Sequence, residues 1–176
     1  VLDEETATVT LRHPDLGTLQ FQPDEDDTAF LAWIAPICPT SRAQPKAIVS
    51  APERGMTDTP YPSVSIMNLA THQAVAEKLN RPLETERWRG NIWLDGLDPW
   101  AEFNWIGKSI RIGSAELAIR DRIERCMHTT ANPQTGERDA DTLGTLMTHW
   151  GHKDFGVYAE VTRGGTVSVG DSFEVL

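Results

Sequence analysis

Alternating apolar and polar residues, the two-residue period of a half-buried β-strand, recur along the chain. Near the start, residues 7–11 and 18–22 alternate on either side of the turn-forming residues 13–17, which predicts a β-hairpin. Other apolar or alternating runs predict strands at residues 47–51, 91–95, 116–120, 157–161, 166–169 and 173–176. The chain is therefore expected to be mainly β.

Apolar residues at the helical period mark a different kind of segment. Residues 68–79 predict an amphipathic helix whose start is capped by Asn68 or Thr71. His72 lies on this helix and is expected to be exposed.

A further helix is predicted between Asp139 or Asp141, which would cap its start, and Gly151, which would end it. Its apolar positions, expected to face the core, are Leu143, Leu146, Met147 and Trp150. Together with the strands, these helices predict a mixed β-barrel of about eight strands with two or three peripheral helices.

The chain has 176 residues, enough for one domain, and a formal net charge of −10 from 26 acidic and 16 basic residues. Such a surface repels phosphate backbones, so nucleic acid is not an expected partner.

The acidic run at residues 24–27 could ligate a hard cation. Its place before a predicted helix at residues 29–34 favours the role of a helix cap.

No apolar run approaches the roughly 20 residues of a membrane-spanning helix, and no signal segment opens the chain. A cytoplasmic protein without a membrane partner is therefore expected. The chain begins with Val1 rather than Met, which indicates a processed chain or a fragment. Cys38 and Cys126 are too few for a disulfide framework, and they are not expected to pair.

The strongest candidate for chemistry is Cys126, which follows the predicted strand at 116–120 and precedes the turn-forming residues 132–136. Three arginines stand close before it, namely Arg120, Arg122 and Arg125. Their charges would favour the thiolate, the form that acts as nucleophile or metal ligand. The alternative is a structural cysteine, buried as a small apolar side chain.

Two other segments invite a functional interpretation. His128, His149 and His152 could suggest zinc near Cys126, but the closed set of Cys and His ligands typical of zinc sites is incomplete. Zinc is therefore not expected.

Residues 52–62 predict a loop rich in Pro, Gly and Asp, and such loops often carry function. The alternative is a plain surface loop with local hydrogen bonds.

Three groups of residues between Arg87 and Leu176 resemble the MOSC domain family, named for the carboxy-terminal domain of molybdenum cofactor sulfurase and shared with the mitochondrial amidoxime-reducing component. The first group is Arg87-Trp88-Arg89-Gly90-Asn91-Ile92, Pro99-Trp100-Ala101-Glu102 and Ile110-Arg111-Ile112-Gly113. The second is Arg125-Cys126, Thr129-Thr130 and Pro133 with Thr135-Gly136. The third is Phe155-Gly156-Val157-Tyr158 and Val169-Gly170-Asp171. The family usually has Pro at the position of Gly90, and its absence would loosen the turn.

The resemblance implies roles for particular residues. Cys126 would ligate molybdenum beside the dithiolene of a pterin, as in cofactor-binding members. Arg87 and Arg89 would bind the cofactor's phosphate, since guanidinium groups offer paired donors to phosphate oxygens. The remaining implied cofactor contacts are Asp58, Thr59, Asn91, Thr129 and Thr130. The alternative for the two arginines is a surface charge pair.

The resemblance also implies a function. The leading hypothesis is a molybdenum-pterin oxidoreductase that reduces N-hydroxylated or related small molecules, with Cys126 as catalytic and metal-ligating residue and an electron-donor protein as partner. In a second hypothesis, Cys126 carries a persulfide received from a sulfur-donor protein. In a third, the domain only binds a cofactor or a partner protein. Pyridoxal phosphate binding is a further expectation from the family.

The whole chain is expected to be one MOSC-type domain. Residues 61–176 would form its core, and residues 1–60 would be the tail of an amino-terminal β-rich part. Cofactor-binding relatives have an additional amino-terminal part that supplies a Lys-Ser pair to the phosphate end of the pocket. Nothing before Asp3 can supply that pair, so the chain is expected to hold half a site.

Overall fold

The computed structural model of the chain describes residues 1–25, 27–51 and 57–176. Asp26, in the acidic run, and residues 52–56, in the first half of the predicted loop, lie outside the described residues. The chain divides into two units, Val1–Met56 and Thr57–Leu176. The expected grouping of residues 1–176 into one MOSC-type domain stays a prediction.

The first unit contains a small antiparallel sheet and a helix. Its strands, in order across the sheet, are β1 (Leu2–Asp3), β2 (Thr8–His13) and β3 (Gly17–Phe21). Its helix is α1 (Thr28–Ile34), continued by the 3₁₀ helix Ala35–Ile37. Pairing of β2 with β3 runs from Val9 and Phe21 to His13 and Gly17, which confirms the predicted hairpin. The predicted helix at 29–34 is also confirmed.

Asp27 occupies the N-cap position of α1 but makes no side-chain hydrogen bond to the helix. Its carboxylate instead accepts a hydrogen bond of 3.0 Å from the backbone N–H of Ile48. The predicted strand at residues 47–51 is wrong, since the segment has no regular structure. The backbone N–H of Ile48, which could have paired with a neighbouring strand, donates to the Asp27 carboxylate.

Within residues 57–176, the structure forms a curled six-stranded sheet, a half-barrel. The strands are β4 (Ser63–Asn68), β5 (Ile92–Leu94), β6 (Ser109–Ile112), β7 (Ala115–Glu124), β8 (Asp154–Arg163) and β9 (Phe173–Val175). The helices are α2 (Leu69–Leu79) and α3 (Thr142–Trp150), and the 3₁₀ helices are Thr85–Trp88, Ala101–Trp105 and Met127–Thr130.

The strand order in this half-barrel is β5-β4-β8-β7-β6-β9. The β4–β5 pair is parallel and the other pairs are antiparallel, so the sheet is mixed, as predicted. The mainly β fold class with peripheral helices is confirmed. The sheet has six strands rather than the expected number of about eight.

Buried side chains line both faces of the half-barrel. Successive side chains on a strand point to opposite faces, and Ile66 and Met67 of β4 accordingly belong to different buried clusters. The Met67 cluster also contains Val75, Trp88, Ile123, Leu146 and Phe155. It packs α2 and α3 against the sheet. At its centre the Trp88 and Phe155 rings stack with their centroids 3.7 Å apart.

The half-barrel departs from the predicted pattern at two strands. The first is β4, which the sequence pattern does not predict. This strand runs directly into α2, so Asn68 both ends the strand and caps the helix. The Asn68 side chain accepts a hydrogen bond of 2.9 Å from the Ala70 N–H, which confirms the cap. The predicted strand at 166–169 is wrong. The Thr166 carbonyl accepts from the Ser114 N–H at 3.2 Å, and the Ser168 carbonyl accepts from the Asp171 N–H at 3.1 Å within a turn, so the segment forms no ladder.

The caps of α3 agree with the prediction. The Asp141 side chain accepts from the Gly144 N–H at 2.9 Å, and Gly151 ends the helix with a φ of 75°. The apolar stripe faces the core only in part, because Leu146 is fully buried whereas Met147 is 46% exposed. No helix in the described part of the chain is long and apolar enough to cross a membrane.

A buried carboxyl group joins the 3₁₀ helix Ala101–Trp105 to the start of α2. Glu102 is fully buried and accepts hydrogen bonds from Asn68 Nδ2 at 2.8 Å and from the Thr71 hydroxyl at 3.0 Å. Burial raises the pKa of Glu102 above its usual value, against the effect of these hydrogen bonds. The motif that contains Glu102 is thus part of the framework of the fold.

His72 on α2 is buried, with 8% of its surface exposed, so the prediction of an exposed side chain is wrong. Its Nδ1 accepts a hydrogen bond of 3.0 Å from the indole N–H of Trp88. The ring hydrogen therefore belongs on Nε2, which lies 3.2 Å from the Leu83 carbonyl. Burial lowers the pKa of His72 below its usual value, although the Leu83 carbonyl and the charges of Glu84 and Glu86 oppose this.

Replacing His72 by Gln is expected to lower the free energy of unfolding near pH 7.5 by about 1 kcal/mol, the typical contribution of a hydrogen bond. The folded state protonates His72 less readily than the unfolded chain, whose usual pKa is 6.5. The contribution is therefore present above pH 6.5 and is lost as the pH falls below it. Denaturant titrations should show that the difference in free energy of unfolding between wild type and variant becomes smaller as the pH is lowered. A difference that is the same at all pH values would contradict a neutral, buried His72.

Candidate functional site

Cys126 lies two residues after the end of β7, at the N-cap position of the 3₁₀ helix Met127–Thr130. Its backbone is extended, and its carbonyl accepts hydrogen bonds from the N–H of Thr129 at 3.2 Å and from the hydroxyl at 3.1 Å. The predicted position just past a strand is confirmed. The thiol is exposed and free, so the alternative of a buried structural cysteine is wrong.

Arg125, the residue before it, directs its guanidinium into the protein. Nε and Nη2 donate to the Phe155 carbonyl at 2.8 and 2.6 Å, and Nη1 donates to the Trp88 carbonyl at 2.9 Å. Nη2 also lies 3.2 Å from Met67 Sδ. Burial lowers the pKa of Arg125 to about 10, so the group is still charged at neutral pH. Cys126 is thus fixed, through its neighbour, to two distant segments.

The other arginines near the cysteine are held elsewhere. Arg120 Nη2 lies 2.6 Å from Glu160 Oε2, and Arg122 Nη1 lies 3.8 Å from Asp154 Oδ2. Both cations therefore pair with carboxylates of the neighbouring strand β8. Of the three arginines, Arg125 is therefore the one left to stabilise a Cys126 thiolate, and this role stays a prediction.

Residues 57–62 form an irregular loop that is tied to β7. The Tyr61 hydroxyl donates to Asp121 Oδ2 at 2.9 Å, and the hydroxyls of Thr57 and Thr59 donate to the Tyr61 carbonyl at 3.0 and 2.5 Å. The Thr59 hydroxyl is thus used inside the loop. Its predicted contact with a cofactor stays a prediction.

Asp58 is exposed and interacts with Tyr158 of β8. Burial together with the charge of the Asp58 carboxylate raises the pKa of Tyr158 above its usual value. The phenol is therefore neutral at ordinary pH. Tyr158 and Arg125 both interact electrostatically with Asp58 and with the Cys126 side chain. These four side chains are therefore near enough to influence one another electrostatically.

Arg87 is buried, with 1% of its surface exposed. Each of its three guanidinium nitrogens contacts an oxygen atom of another residue. Nε donates to Glu84 Oε2 at 2.5 Å, and Nη1 donates to the Thr130 carbonyl at 3.2 Å. Nη2 is in ion-pair contact with Asp139 Oδ1 at 2.7 Å, without the alignment of a hydrogen bond. Burial opposes the charge, but the bonds to Glu84 and Asp139 outweigh it and raise the pKa of Arg87. Arg87 ties its 3₁₀ helix to the chain after Cys126.

Arg89 has a left-handed backbone with φ of 51° and ψ of 41°. Its side chain is exposed and makes no ion pair or hydrogen bond with the residues that the structure describes. Asn91 Oδ1 accepts from the N–H and hydroxyl of Ser65 at 2.9 and 2.8 Å, which leaves its amide nitrogen available. The carbonyl just before Arg89 accepts from Arg125, so Arg89 and Cys126 adjoin the same hydrogen bond.

Thr129 and Thr130 are buried and use their hydroxyls within the turn after the cysteine. Thr129 Oγ1 donates to the Cys126 carbonyl and lies 2.7 Å from Thr142 Oγ1. Thr130 Oγ1 donates to the Met127 carbonyl at 2.7 Å. Both residues therefore shape the turn, and their role as cofactor contacts stays a prediction.

Gly90 allows close packing beneath the site. A Cβ at this position would lie 2.4 Å from Met67 Cγ and 2.9 Å from Trp93 Nε1. Met67 is fully buried and contacts Arg125. The glycine thus makes room for the side chains that support the cysteine, which is a more specific consequence than the expected loosening of a turn.

Sequence reasoning does not assign Tyr158 or Asp139 to the site. Tyr158 stands in a motif of β8, and Asp139 is noticed only as a candidate helix cap. Their partners Asp58 and Arg87 are far away in sequence, so local patterns carry no signal for either contact. Among the described residues, no three His, Cys, Asp or Glu side chains are grouped so that they could hold a metal ion.

Comparison with known proteins adds family information to this geometry. The family model of the MOSC domain matches residues 56–174. Molybdenum cofactor sulfurase of Bombyx mori is 31% identical over 114 residues, covering 60% of this chain and 13% of that protein. Mitochondrial amidoxime-reducing component 1 of Mus musculus is 27% identical over 150 residues, covering 78% of this chain and 43% of that protein. The chain thus spans less than half the length of these relatives.

Two solved structures share the fold. The YuaD protein of Bacillus subtilis has a TM-score of 0.52 and 24% identity, covering 64% of this chain and 62% of that chain. YiiM of Geobacillus stearothermophilus has a TM-score of 0.50 and 18% identity, covering 64% and 53%. At these identities, the two structures bear on the fold alone.

Replacing Gly90 by Ala is expected to lower the free energy of unfolding by about 1 to 3 kcal/mol, because the new methyl group overpacks against Met67 and Trp93. Gly164→Ala is the matched control, since a Cβ there meets nothing within 4 Å. Denaturant titration of both variants measures the difference. Equal stabilities would show that the two side chains beneath the site move aside freely.

Proposed function

This chain belongs to the MOSC domain family, and we propose that it binds a molybdenum-pterin cofactor through Cys126 as part of an oxidoreductase. The proposed substrates are N-hydroxylated or related small molecules, in keeping with the name of the amidoxime-reducing relative. An electron-donor protein is the proposed partner. The cytoplasm is the proposed location.

The observation that carries the proposal is the exposed, free thiol of Cys126 beside a fixed cation. Soft thiolate ligands suit metals of this class, and hydrogen bonds and charges around the ligand tune the metal. Arg125 supplies such a charge from a position held by two carbonyls. The residue type, exposure and surroundings of Cys126 therefore fit a metal ligand.

The remaining residues fit the other parts of the cofactor to different degrees. Arg89 is exposed and unpaired within the described part of the chain, so it fits a direct phosphate contact. The free amide nitrogen of Asn91 fits a hydrogen bond to the same group. Arg87 is already engaged by Glu84 and Asp139, so we assign it an indirect role.

When bound, such a cofactor supplies two-electron oxo-transfer chemistry. The chain's own residues would orient the substrate and keep protons in place. Burial and the Asp58 charge keep Tyr158 protonated at neutral pH, so it offers a neutral phenol that interacts electrostatically with Cys126. The exposed position of Cys126 leaves room for a small substrate.

A second candidate is sulfur transfer, favoured by the same exposed thiol and by the sulfurase relative. The Cys126 thiolate would attack the outer sulfur of a donor persulfide, and the donor thiolate would leave. Cyanide releases such sulfur as thiocyanate, which distinguishes this candidate from metal binding. A binding module without turnover, and pyridoxal phosphate binding, stay predictions from the family alone.

The Cys126→Ser variant is expected to lose nearly all bound molybdenum while keeping its fold, because Ser retains the size of Cys but lacks the soft ligand. Cys38→Ser, which alters the other free cysteine, is the control and should retain the metal. Metal analysis and circular dichroism of proteins from a cofactor-competent host provide the measurement. Wild-type metal content in Cys126→Ser would refute the ligand assignment.

The Arg89→Ala variant is expected to retain the fold and bind the pterin roughly 10 to 100 times more weakly, the effect of losing one charge-assisted hydrogen bond. Lys108→Ala removes another exposed cation of the same unit and should have no effect. Pterin and molybdenum per chain are compared after identical purification. If the two variants load equally, Arg89 is a surface charge outside the site.

A further inference from the structure

The Asp139 carboxylate connects the loop after Cys126 to two arginines. Its Oδ2 accepts from Asn132 Nδ2 at 3.0 Å and lies 3.2 Å from Arg81 Nη2, while Oδ1 lies 2.7 Å from Arg87 Nη2. The backbone carbonyl of Asp139 accepts from Arg81 Nη1 at 2.7 Å. One residue thus joins the turn, the segment after α2 and the buried arginine.

The backbone of the loop is fastened at the same point. The Thr130 carbonyl accepts from the N–H groups of Asp139 at 3.1 Å and Ala140 at 3.4 Å, and from Arg87 Nη1 at 3.2 Å. Within the loop, the Asn132 N–H donates to the Glu137 carbonyl at 2.7 Å. The loop of residues 126–140 is therefore closed between Thr130 and Asp139–Ala140, beside Arg87 and four residues after Cys126.

Arg87 requires this partner because its side chain is fully buried. A buried guanidinium that loses a carboxylate keeps its desolvation penalty without the compensating attraction. Glu84 supplies one carboxylate from the same 3₁₀ helix, but Asp139 supplies the one that crosses to the loop. Arg81 pairs with the same carboxylate from a more exposed position, so the Arg87–Asp139 contact is the more deeply buried of the two ion pairs that cross to the loop.

We propose that the Arg87–Asp139 ion pair is a latch that keeps the loop of residues 126–140 closed and thereby positions the Cys126 thiol. Arg87 and Asp139 are then positioning residues, which act on a ligand through the cysteine. The effect on cofactor loading rests on the proposed function. The latch itself is a property of the chain without any cofactor.

The test compares Asp139→Asn with Glu137→Gln in a Cys38→Ser background, which leaves Cys126 as the only thiol. Glu137→Gln removes a carboxylate from the same loop that has no side-chain partner in the described residues. Two quantities are measured without cofactor: amide hydrogen exchange of residues 126–140, and the rate of Cys126 alkylation by iodoacetamide. Both should rise roughly tenfold in Asp139→Asn, because the buried Arg87 charge then loses the carboxylate that crosses to the loop. Asp139→Glu should largely restore wild-type values, and Glu137→Gln should match them.

Wild-type exchange and alkylation in Asp139→Asn would overturn the latch, and so would equal changes in Glu137→Gln. If Asp139→Asn does not fold, Arg87→Lys provides the comparison, because Lys keeps the charge but lacks the planar fork that spans Thr130 and Asp139. In a cofactor-competent host, Asp139→Asn should also lower molybdenum per chain severalfold. A latch confirmed by exchange and alkylation, with no molybdenum in the wild type, would refute the proposed function and leave the latch standing.

Discussion

The arrangement around the cysteine depends on the largely buried guanidinium of Arg125, whose oxygen acceptors among the described residues are main-chain carbonyls. Buried charges usually pair with opposite charges, since desolvation is otherwise uncompensated. Arg125 is held instead by the carbonyls of Trp88 and Phe155, and its guanidinium lies 5.9 and 5.8 Å from the centroids of their rings. Because these segments are distant in sequence, the thiol is in place only when β8 and the segment after α2 are both packed.

The sheet supports this interaction through the two faces of β4. Ile66 points into one buried cluster and Met67 into the other, where its sulfur reaches Arg125. Gly156 of β8 has a φ of 76° and, like Gly90, has no space for a Cβ beside Met67. The two glycines let the backbones on either side of Met67 approach the arginine. Close packing, rather than added polar groups, brings the anchoring carbonyls within reach.

Local patterns were sufficient for much of the fold. The first hairpin, the Asn68 and Asp141 caps and the strand before Cys126 follow from residues that are neighbours in sequence. The incorrect predictions concern segments whose state depends on distant partners. The buried His72 accepts from Trp88, and in the irregular segment 47–51 the Ile48 N–H donates to Asp27; both partners are distant in sequence.

In the candidate site, too, the sequence predicts which residues matter but not the surroundings that distant partners create. The family resemblance selects Cys126, Arg87 and Arg89 as a group, but motif order carries no information on burial. Arg87 and Arg89 flank Trp88, and their side chains have opposite surroundings, one sealed by carboxylates and one open. Arg89 also has a left-handed backbone, a conformation that few sequence patterns predict for a residue other than glycine. The thiol has a further property that follows from its anchor. The oxygens that hold Arg125 belong to the main chain, and every amino acid carries such a carbonyl. Mutational drift at positions 88 and 155 would alter the rings while leaving both acceptors, so the requirement for residue identity is concentrated on the arginine, whose planar fork no other side chain reproduces.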